Sequence, residues 1–404
     1  MGTGSVIDSA IESVIDTPEL AVSAEKFPKW FVMTVMVLTG VVHLWFWNTI
    51  LNLTVTVNGE YFPSHSRLSD VLATVFQACN IAAFLITNTI GALRPWLNTV
   101  AGVVYLVASV CLPLVLLMPE TPRYYCWVVL VGVFGLVSGT QQVHHFAIAS
   151  IYPTGHTTAL VSAGQGVGGI VSYGLCMIMV QAAKLSPMNC VIIQMTLGFV
   201  WATCSIIGIA LLSSQQSVQD SGERQRLEME AYVAENGKPR IQDWIQWVPL
   251  VNTFYSFLSS YLVFPNIGPF KWPMRDDNQV NVVMGLSQLG QVLGRSVPNW
   301  SIFIVSLKTT SISNAVKTVL IPVFVVTAVN NNTVFNSYWF QCILLFILSF
   351  SEGYLGTLGL VHSAISGKDI YAKWKMATFS TGALVIGVGV GLWVSPLIQK
   401  AAKI

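Results

Sequence analysis

Charge is the first thing this sequence lacks. Only 9% of its 404 residues are Asp, Glu, Lys or Arg, while 53% are hydrophobic. An ordinary globular domain carries about a quarter charged residues. A water-soluble fold of this length could not clothe its surface with so few, so the solvent around most of the chain is lipid. No long run of Lys and Arg is present to bind nucleic acid, and a formal net charge of +2 selects no partner by its sign. The seven cysteines have no metal-ligand spacing, and most lie in apolar runs where Cys acts as a small core residue. Cys126 and Cys190 fall at helix starts expected on one side, which leaves a bridge between them open. Residues 1–28 carry Asp8, Glu12, Asp16, Glu19 and Glu25 and no apolar core of a signal peptide. They read as a cytoplasmic tail, with the first hydrophobic segment as an uncleaved anchor. Paired intramembrane aspartates, a His-Glu-x-x-His and a nucleophile–base pair are all missing, so no enzyme is expected and nothing calls for a cofactor or metal.

What is present is a series of apolar runs long enough to cross a bilayer. They predict helices near 29–51, 70–90, 97–117, 124–150, 157–181, 190–212, 245–264, 279–306, 315–330, 338–363 and 374–397. Turn chemistry separates them, at Pro63, Arg94-Pro95, Pro119 with Pro122, Pro153 with Gly155, and Pro187. One hydrophilic segment, 213–244, interrupts the pattern with Glu223, Arg224, Arg226, Glu228, Glu230, Glu235, Lys238 and Arg240. It divides the chain into a six-helix bundle, 29–212, and a five-helix bundle, 245–404, a common transporter layout. Orientation follows from Lys and Arg in loops. With the N-terminus inside, twelve lie on the cytoplasmic side: Lys26, Lys29, Arg94, Arg224, Arg226, Lys238, Arg240, Lys308, Lys317, Lys368, Lys373 and Lys375. Seven lie outside: Arg67, Arg123, Lys184, Lys271, Arg275, Lys400 and Lys403. The bias favours this orientation, and an odd number of helices puts the C-terminus outside. Two glycosylation sequons, Asn52-Leu53-Thr54 and Asn331-Asn332-Thr333, then face outward close to the membrane boundary. A third, Asn299-Trp300-Ser301, falls within a span.

Arg295 and Glu352 are the two charges expected at membrane depth, in the eighth and tenth helices. Such a charge costs several kcal/mol and must face protein or a wet cavity. Both helices should run inward, with Arg295 about 16 residues along one and Glu352 about 14 along the other. At about 1.5 Å per residue their depths differ by about 3 Å, close enough for direct or ligand-bridged contact. A purely structural ion pair is the alternative. Gln288 and Gln291 share the face of Arg295, at i−7 and i−4, and suit a solute with several donors and acceptors. Gly290 with Gly294, and Gly164 with Gly168, permit close helix packing. Gln165 projects an amide from a helix of small residues; unpaired in hydrocarbon it would be costly, so it faces the cavity or a neighbouring helix. The glycines around it are no dinucleotide fingerprint, because they lie inside a span with no preceding strand. Trp45-Phe46-Trp47-Asn48 ends the first helix, where an indole serves a cavity or an interfacial belt. Gln141, Gln142, His144 and His145 give the fourth helix a polar wall or a proton-sensitive site; adjacent histidines point to different faces and do not share a metal.

These residues together resemble the equilibrative nucleoside transporters, divergent protozoan members among them. Phe134-Gly135-Leu136 leading to Ser162-Ala163-Gly164-Gln165-Gly166 is similar to the family's helix 4–5 region. Trp47-Asn48 looks like the Trp-Asn that ends helix 1. Gly294-Arg295-Ser296 matches the end of the helix-8 motif Phe-Asn-x-x-Asp-x-x-Gly-Arg, and Gly353-Tyr354-Leu355 matches the helix-10 Asn-Gly-Tyr-Leu. The resemblance covers nearly the whole chain. It implies eleven helices, an internal N-terminus, an external C-terminus and a large cytoplasmic loop after helix six. It also implies Trp47 lining the site and Gln165 contacting nucleoside. Two departures stand out: the helix-8 asparagine and aspartate positions hold Gln288 and Gln291, and the helix-10 asparagine position holds Glu352. The family's aspartate partners its arginine and contacts ribose. One acidic group is thus lost from helix 8 and one gained on helix 10, as a relocated counter-charge to Arg295 would require.

The sequence therefore predicts an all-α integral membrane protein of about eleven transmembrane helices in a major-facilitator-like 6+5 two-bundle architecture. The expected activity is facilitative transport of nucleosides or nucleobases by alternating access, across the plasma membrane and by a single chain. Proton-coupled uptake of these or other small polar solutes is the alternative, with Glu352 or a helix-4 histidine titrating. A heptahelical receptor conflicts with the number of spans. The expected binding residues are Trp47, Gln141, Gln165, Gln288, Gln291, Arg295 and Glu352.

Overall fold

The structure, a computed structural model, describes residues 27–404 apart from 66–67, 91–94, 152–156, most of 216–240, 270, 273–276, 330–333, 336 and 368–369. The N-terminal tail, most of the charged segment, and the Asn331 sequon lie outside the described residues. In chain order the long helices are α1 (Lys29–Tyr61), α2 (Leu68–Ile90), α3 (Pro95–Val115), α4 (Glu120–Ile151), α5 (Thr157–Met177), α6 (Pro187–Ser213), α7 (Trp247–Tyr261) and α8 (Asp277–Ser296). α9 spans Leu307–Val329 in two pieces, and α10 (Tyr338–Ile365) and α11 (Ile370–Ala402) follow. No strand occurs among the described residues.

Nine of these helices are long and apolar enough to cross a membrane. The other two complete the expected eleven. α7 has only 15 residues, and α8 carries Gln288, Gln291 and Arg295 along one face. α7 falls short on length and α8 on hydropathy.

Several boundaries differ from the sequence reading, the largest being α1, which runs on to Tyr61 instead of ending near 51. Pro298 has no N–H to continue the ladder of α8, so the helix stops at Ser296 and passes into short 3-10 turns. The Asn299 sequon lies there and not within a span. α9 begins eight residues before its expected start at 315, because the Ser306 hydroxyl accepts from the Thr309 N–H at 3.2 Å and caps a polar first turn. The Asn52 sequon is also relocated. It lies inside α1, where the Asn52 amide donates to Ser172 Oγ at 3.3 Å. All seven cysteines are free, so Cys126 and Cys190 form no bridge.

The polarity is that of a membrane protein. Leu85, Val107, Leu117, Ile207, Trp339 and Ile343 are each more than half exposed, on the outside of the bundle. The interior holds His43, Gln77, Asn80, Gln142, Gln165, Arg295, Lys317 and Glu352, all buried. Lipid supplies no hydrophobic force between helices, so small residues and polar contacts must hold them. α1 crosses α5 at Gly40 and Gly164; a Cβ on Gly40 would stand 2.8 Å from the Gly164 Cα, closer than real Cβ contacts allow. α8 crosses α10 where a Cβ on Gly353 would meet the Gln291 carbonyl at 2.7 Å. Helices α1–α6 pack chiefly on one another, as do α7–α11. The two bundles meet where α5 lies on α8 and where α2 and α4 lie on α11.

Candidate solute-binding site

A narrow cavity lies along that seam, partly open to solvent. Helical periodicity brings its residues to one face of each helix. α8 contributes Gln288, Gln291 and Arg295, at i, i+3 and i+7, and α1 contributes Leu44, Trp47, Asn48 and Leu51. α2 adds Gln77 and Asn80, α4 adds Gln142, and α5 adds Gln165. Phe257 and Tyr261 of α7 and an aliphatic strip on α11 complete the wall.

Trp47 is 6% exposed and lies parallel to Phe76, with ring centroids 4.8 Å apart and 19° between planes. It faces the cavity and not the lipid interface. Trp45 points elsewhere, its indole N–H donating to the Gln194 carbonyl at 2.9 Å.

Arg295 joins the two bundles. Its Nη1 donates to Gln165 Oε1 at 2.5 Å, and its Nη2 lies 3.9 Å from the Glu352 carboxylate. The guanidinium sits 5.7 Å from the centre of the Phe257 ring, within cation–π range. Glu352 is 1% exposed and does not line the cavity; it stands one layer behind Arg295. Its carboxylate also faces Ser260 and the ammonium of Lys317. Lys317 corrects the sequence reading, which assigned it to a cytoplasmic loop. It is 4% exposed midway along α9, and its Nζ donates to the Ser256 carbonyl at 2.6 Å and to Ser260 Oγ at 2.7 Å. Arg295 pairs with Glu352, and Lys317 lies near enough to act on the same carboxylate electrostatically; each buried charge needs partners to offset lost hydration.

On the other side of the seam, Gln165 Nε2 lies 3.4 Å from His43 Nδ1. His43 Nε2 is 2.7 Å from His145 Nδ1, and His145 Nε2 is 3.0 Å from Asn98 Oδ1. The two imidazoles are nearly parallel, at 16°.

No family model matches the chain. Curated relatives do. It is 23% identical over 380 residues to the protein named Nucleoside transporter 1 of Plasmodium berghei (strain Anka), covering 89% of this chain and 87% of that one. It is 22% identical over 382 residues to the protein of the same name in Plasmodium vivax (strain Salvador I), covering 89% and 86%. The chain is thus similar, over most of its length, to proteins named as nucleoside transporters in two Plasmodium species. Among solved structures, a double-tryptophan variant of XylE superimposes with a TM-score of 0.66 at 13% identity, over 92% of this chain and 89% of that one. The major facilitator superfamily proton:xylose symporter XylE gives 0.62 at 10%, over 93% and 89%. The Escherichia coli fucose:proton symporter FucP gives 0.57 at 12%, over 92% and 93%. The chain shares the fold of these symporters, and each protein it is similar to here is a membrane transporter.

Of the residues singled out from the sequence, Trp47, Gln165, Gln288, Gln291 and Arg295 meet in the cavity, and Glu352 backs it. Gln141 does not reach it. Neighbours on a helix point about 100° apart, and the cavity face of α4 belongs to Gln142, while Gln141 lies towards Gly102 on α3. Gln77, Asn80, His43, Asn98 and Lys317 were missed. A signal for the first two existed: polar residues three apart in an apolar span share a face that must find partners.

Proposed function

We propose that this transporter carries nucleosides and nucleobases down their concentration gradients, by alternating access between the bundles 29–212 and 245–404. The observation that carries the reading is one cavity that pairs a flat aromatic face with unpartnered buried polar atoms. The Trp47 indole supplies the face. The polar atoms are the amide oxygens of Gln77 and Gln142 and the Nε of Arg295, on residues that line the cavity, none of which has a hydrogen-bond partner. A heterocycle bearing a ribose offers the complement: a π-face to stack, N–H and carbonyl groups on its rim, and hydroxyls at one end. Sites whose buried polar groups need partners reject solutes that cannot supply them. In this reading Trp47 stacks on the base and Gln165 bonds its edge. Gln288, Gln291 and Arg295 reach its oxygens, and Glu352 holds Arg295 in place. Gln142 takes the part expected of Gln141. The names of the relatives favour nucleosides among flat polar solutes. One chain lines the whole cavity, so one copy suffices, in the plasma membrane with the N-terminus inside and no covalent chemistry on the solute. Radiolabelled uptake in transporter-null cells tests this. Saturable entry of purines that equilibrates without accumulating, and speeds up into preloaded cells, is expected. No uptake of any nucleoside or nucleobase by surface-expressed protein refutes it.

Proton coupling is the second reading, favoured by the Glu352 carboxylate set between Arg295 and Lys317 in the membrane interior. Accumulation above equilibrium under an inward proton gradient, abolished by a protonophore, would select it.

A further inference from the structure

Hydrogen-bond directions around Gln165 are fixed by chemistry. A guanidinium can only donate, so the oxygen of the Gln165 amide must face Arg295, and its NH2 group must face His43. The Nδ1 of His43 is then a bare acceptor. A neutral imidazole with bare Nδ1 carries its proton on Nε2, so His43 donates to His145 Nδ1. The same logic puts the His145 proton on Nε2, donating to Asn98 Oδ1. Reversing any link sets two donors face to face. Four helices, α5, α1, α4 and α3, thus hold a one-way chain of buried groups, between 1% and 5% exposed, each donating away from the cavity.

We propose that His43, His145 and Asn98 are positioning residues that lock the Gln165 amide, so that its second N–H and the unpartnered Nε–H of Arg295 form a donor patch in the cavity. That patch selects solutes that present a carbonyl there over solutes that present an amine. The choice of test solutes rests on the proposed nucleoside transport; the locked amide does not.

Two measurements separate them. In purified full-length protein labelled with 15N-histidine, nitrogen resonances of His43 and His145, assigned through His43→Asn and His145→Phe, report the tautomers directly. Both are expected neutral with the proton on Nε2. A proton on Nδ1 of either ring, or a charged His43, overturns the proposal whatever the protein transports. The second measurement is uptake of inosine, with a carbonyl at C6, against adenosine, with an amine there. The wild type should favour inosine. His145→Phe keeps a ring but leaves His43 only the backbone carbonyl of Gln141 as acceptor, and should lower the inosine-to-adenosine ratio several-fold at equal surface expression. His145→Asn retains an acceptor near the Nδ1 position and should keep the ratio. An unchanged ratio in His145→Phe overturns the proposal. If His145→Phe does not reach the surface, the wild-type tautomers still decide. Nε2 tautomers in a protein that takes up neither nucleoside would refute nucleoside transport and leave the locked amide standing.

Discussion

Trp47 does two jobs: its ring packs on Phe76, and the residue lines the cavity. Stacking on a base is worth about 1–3 kcal/mol in nucleic-acid proteins, and about 1.4 kcal/mol is tenfold in affinity. Trp47→Ala should therefore weaken purine uptake roughly tenfold, and Trp47→Phe should retain more of it. Normal transport by well-expressed Trp47→Ala would leave the indole with only its packing role. The charges behind the cavity make a second residue-level case. Glu352 is the anion common to Arg295 and Lys317. Removing one partner of a buried pair costs about 3–5 kcal/mol because the other charge stays behind. Glu352→Gln strands two cations, so uptake per surface copy should collapse. Adding Gln291→Asp returns an anion one turn from Arg295, and adding Lys317→Met instead removes one stranded cation. Each double variant should recover part of the loss, and Gln291→Asp alone should be neutral or harmful. If Glu352→Gln transports normally, or neither addition helps, the charge balance described here is wrong.

At the scale of elements, the site depends on how closely two helix pairs approach. α1 carries His43 and Trp47, α5 carries Gln165, and they cross backbone to backbone at Gly40 and Gly164. A side chain at Gly164 would collide with the Val37 carbonyl. Overpacking costs about 1–3 kcal/mol and often more where backbone must move. Gly164→Val should lower the yield of monodisperse protein and its melting temperature in detergent. Gly174→Ala, on the same helix with open space around it, should change neither. Comparable stability of the two variants would mean that the crossing tolerates separation. The glycine pairs were legible in the sequence because close approach leaves few other choices of residue. The Arg295–Glu352 meeting was legible because helical rise converts position into depth. Lys317 was not legible: a first turn reading Leu307-Lys308-Thr309-Thr310 looks like loop to any hydropathy argument, and only its cap and partners make it helix. The rotation of α4 was equally hidden, since its four polar residues are all buried and none marks the face that meets the cavity. His43 was missed because its partner lies 102 residues away.

For the whole molecule the remaining question is which way it faces. The count of basic residues favours an internal N-terminus, and burying Lys317 inside α9 removes one residue from the cytoplasmic set, leaving eleven against seven. The bias survives, since Arg224, Arg226, Lys238 and Arg240 all sit in the one long hydrophilic segment. The opposite side has its own anchor. Arg123 donates to the carbonyls of Tyr61 and Met118, tying the end of α1 to the turn between α3 and α4, and the Ser64 N–H donates to Glu120. Its guanidinium also lies 5.1 Å from the centre of the Tyr61 ring. With eleven crossings, an internal N-terminus would put the C-terminus outside. An epitope inserted in 213–243 should be protected from antibody in intact cells and exposed after permeabilisation. An epitope placed after Ile404 should be labelled without permeabilisation. Labelling of the 213–243 epitope in intact cells would invert the molecule. Labelling of both epitopes, or of neither, would mean an even number of crossings between them, and α7 or α8 would then have to lie within the bundle without spanning it.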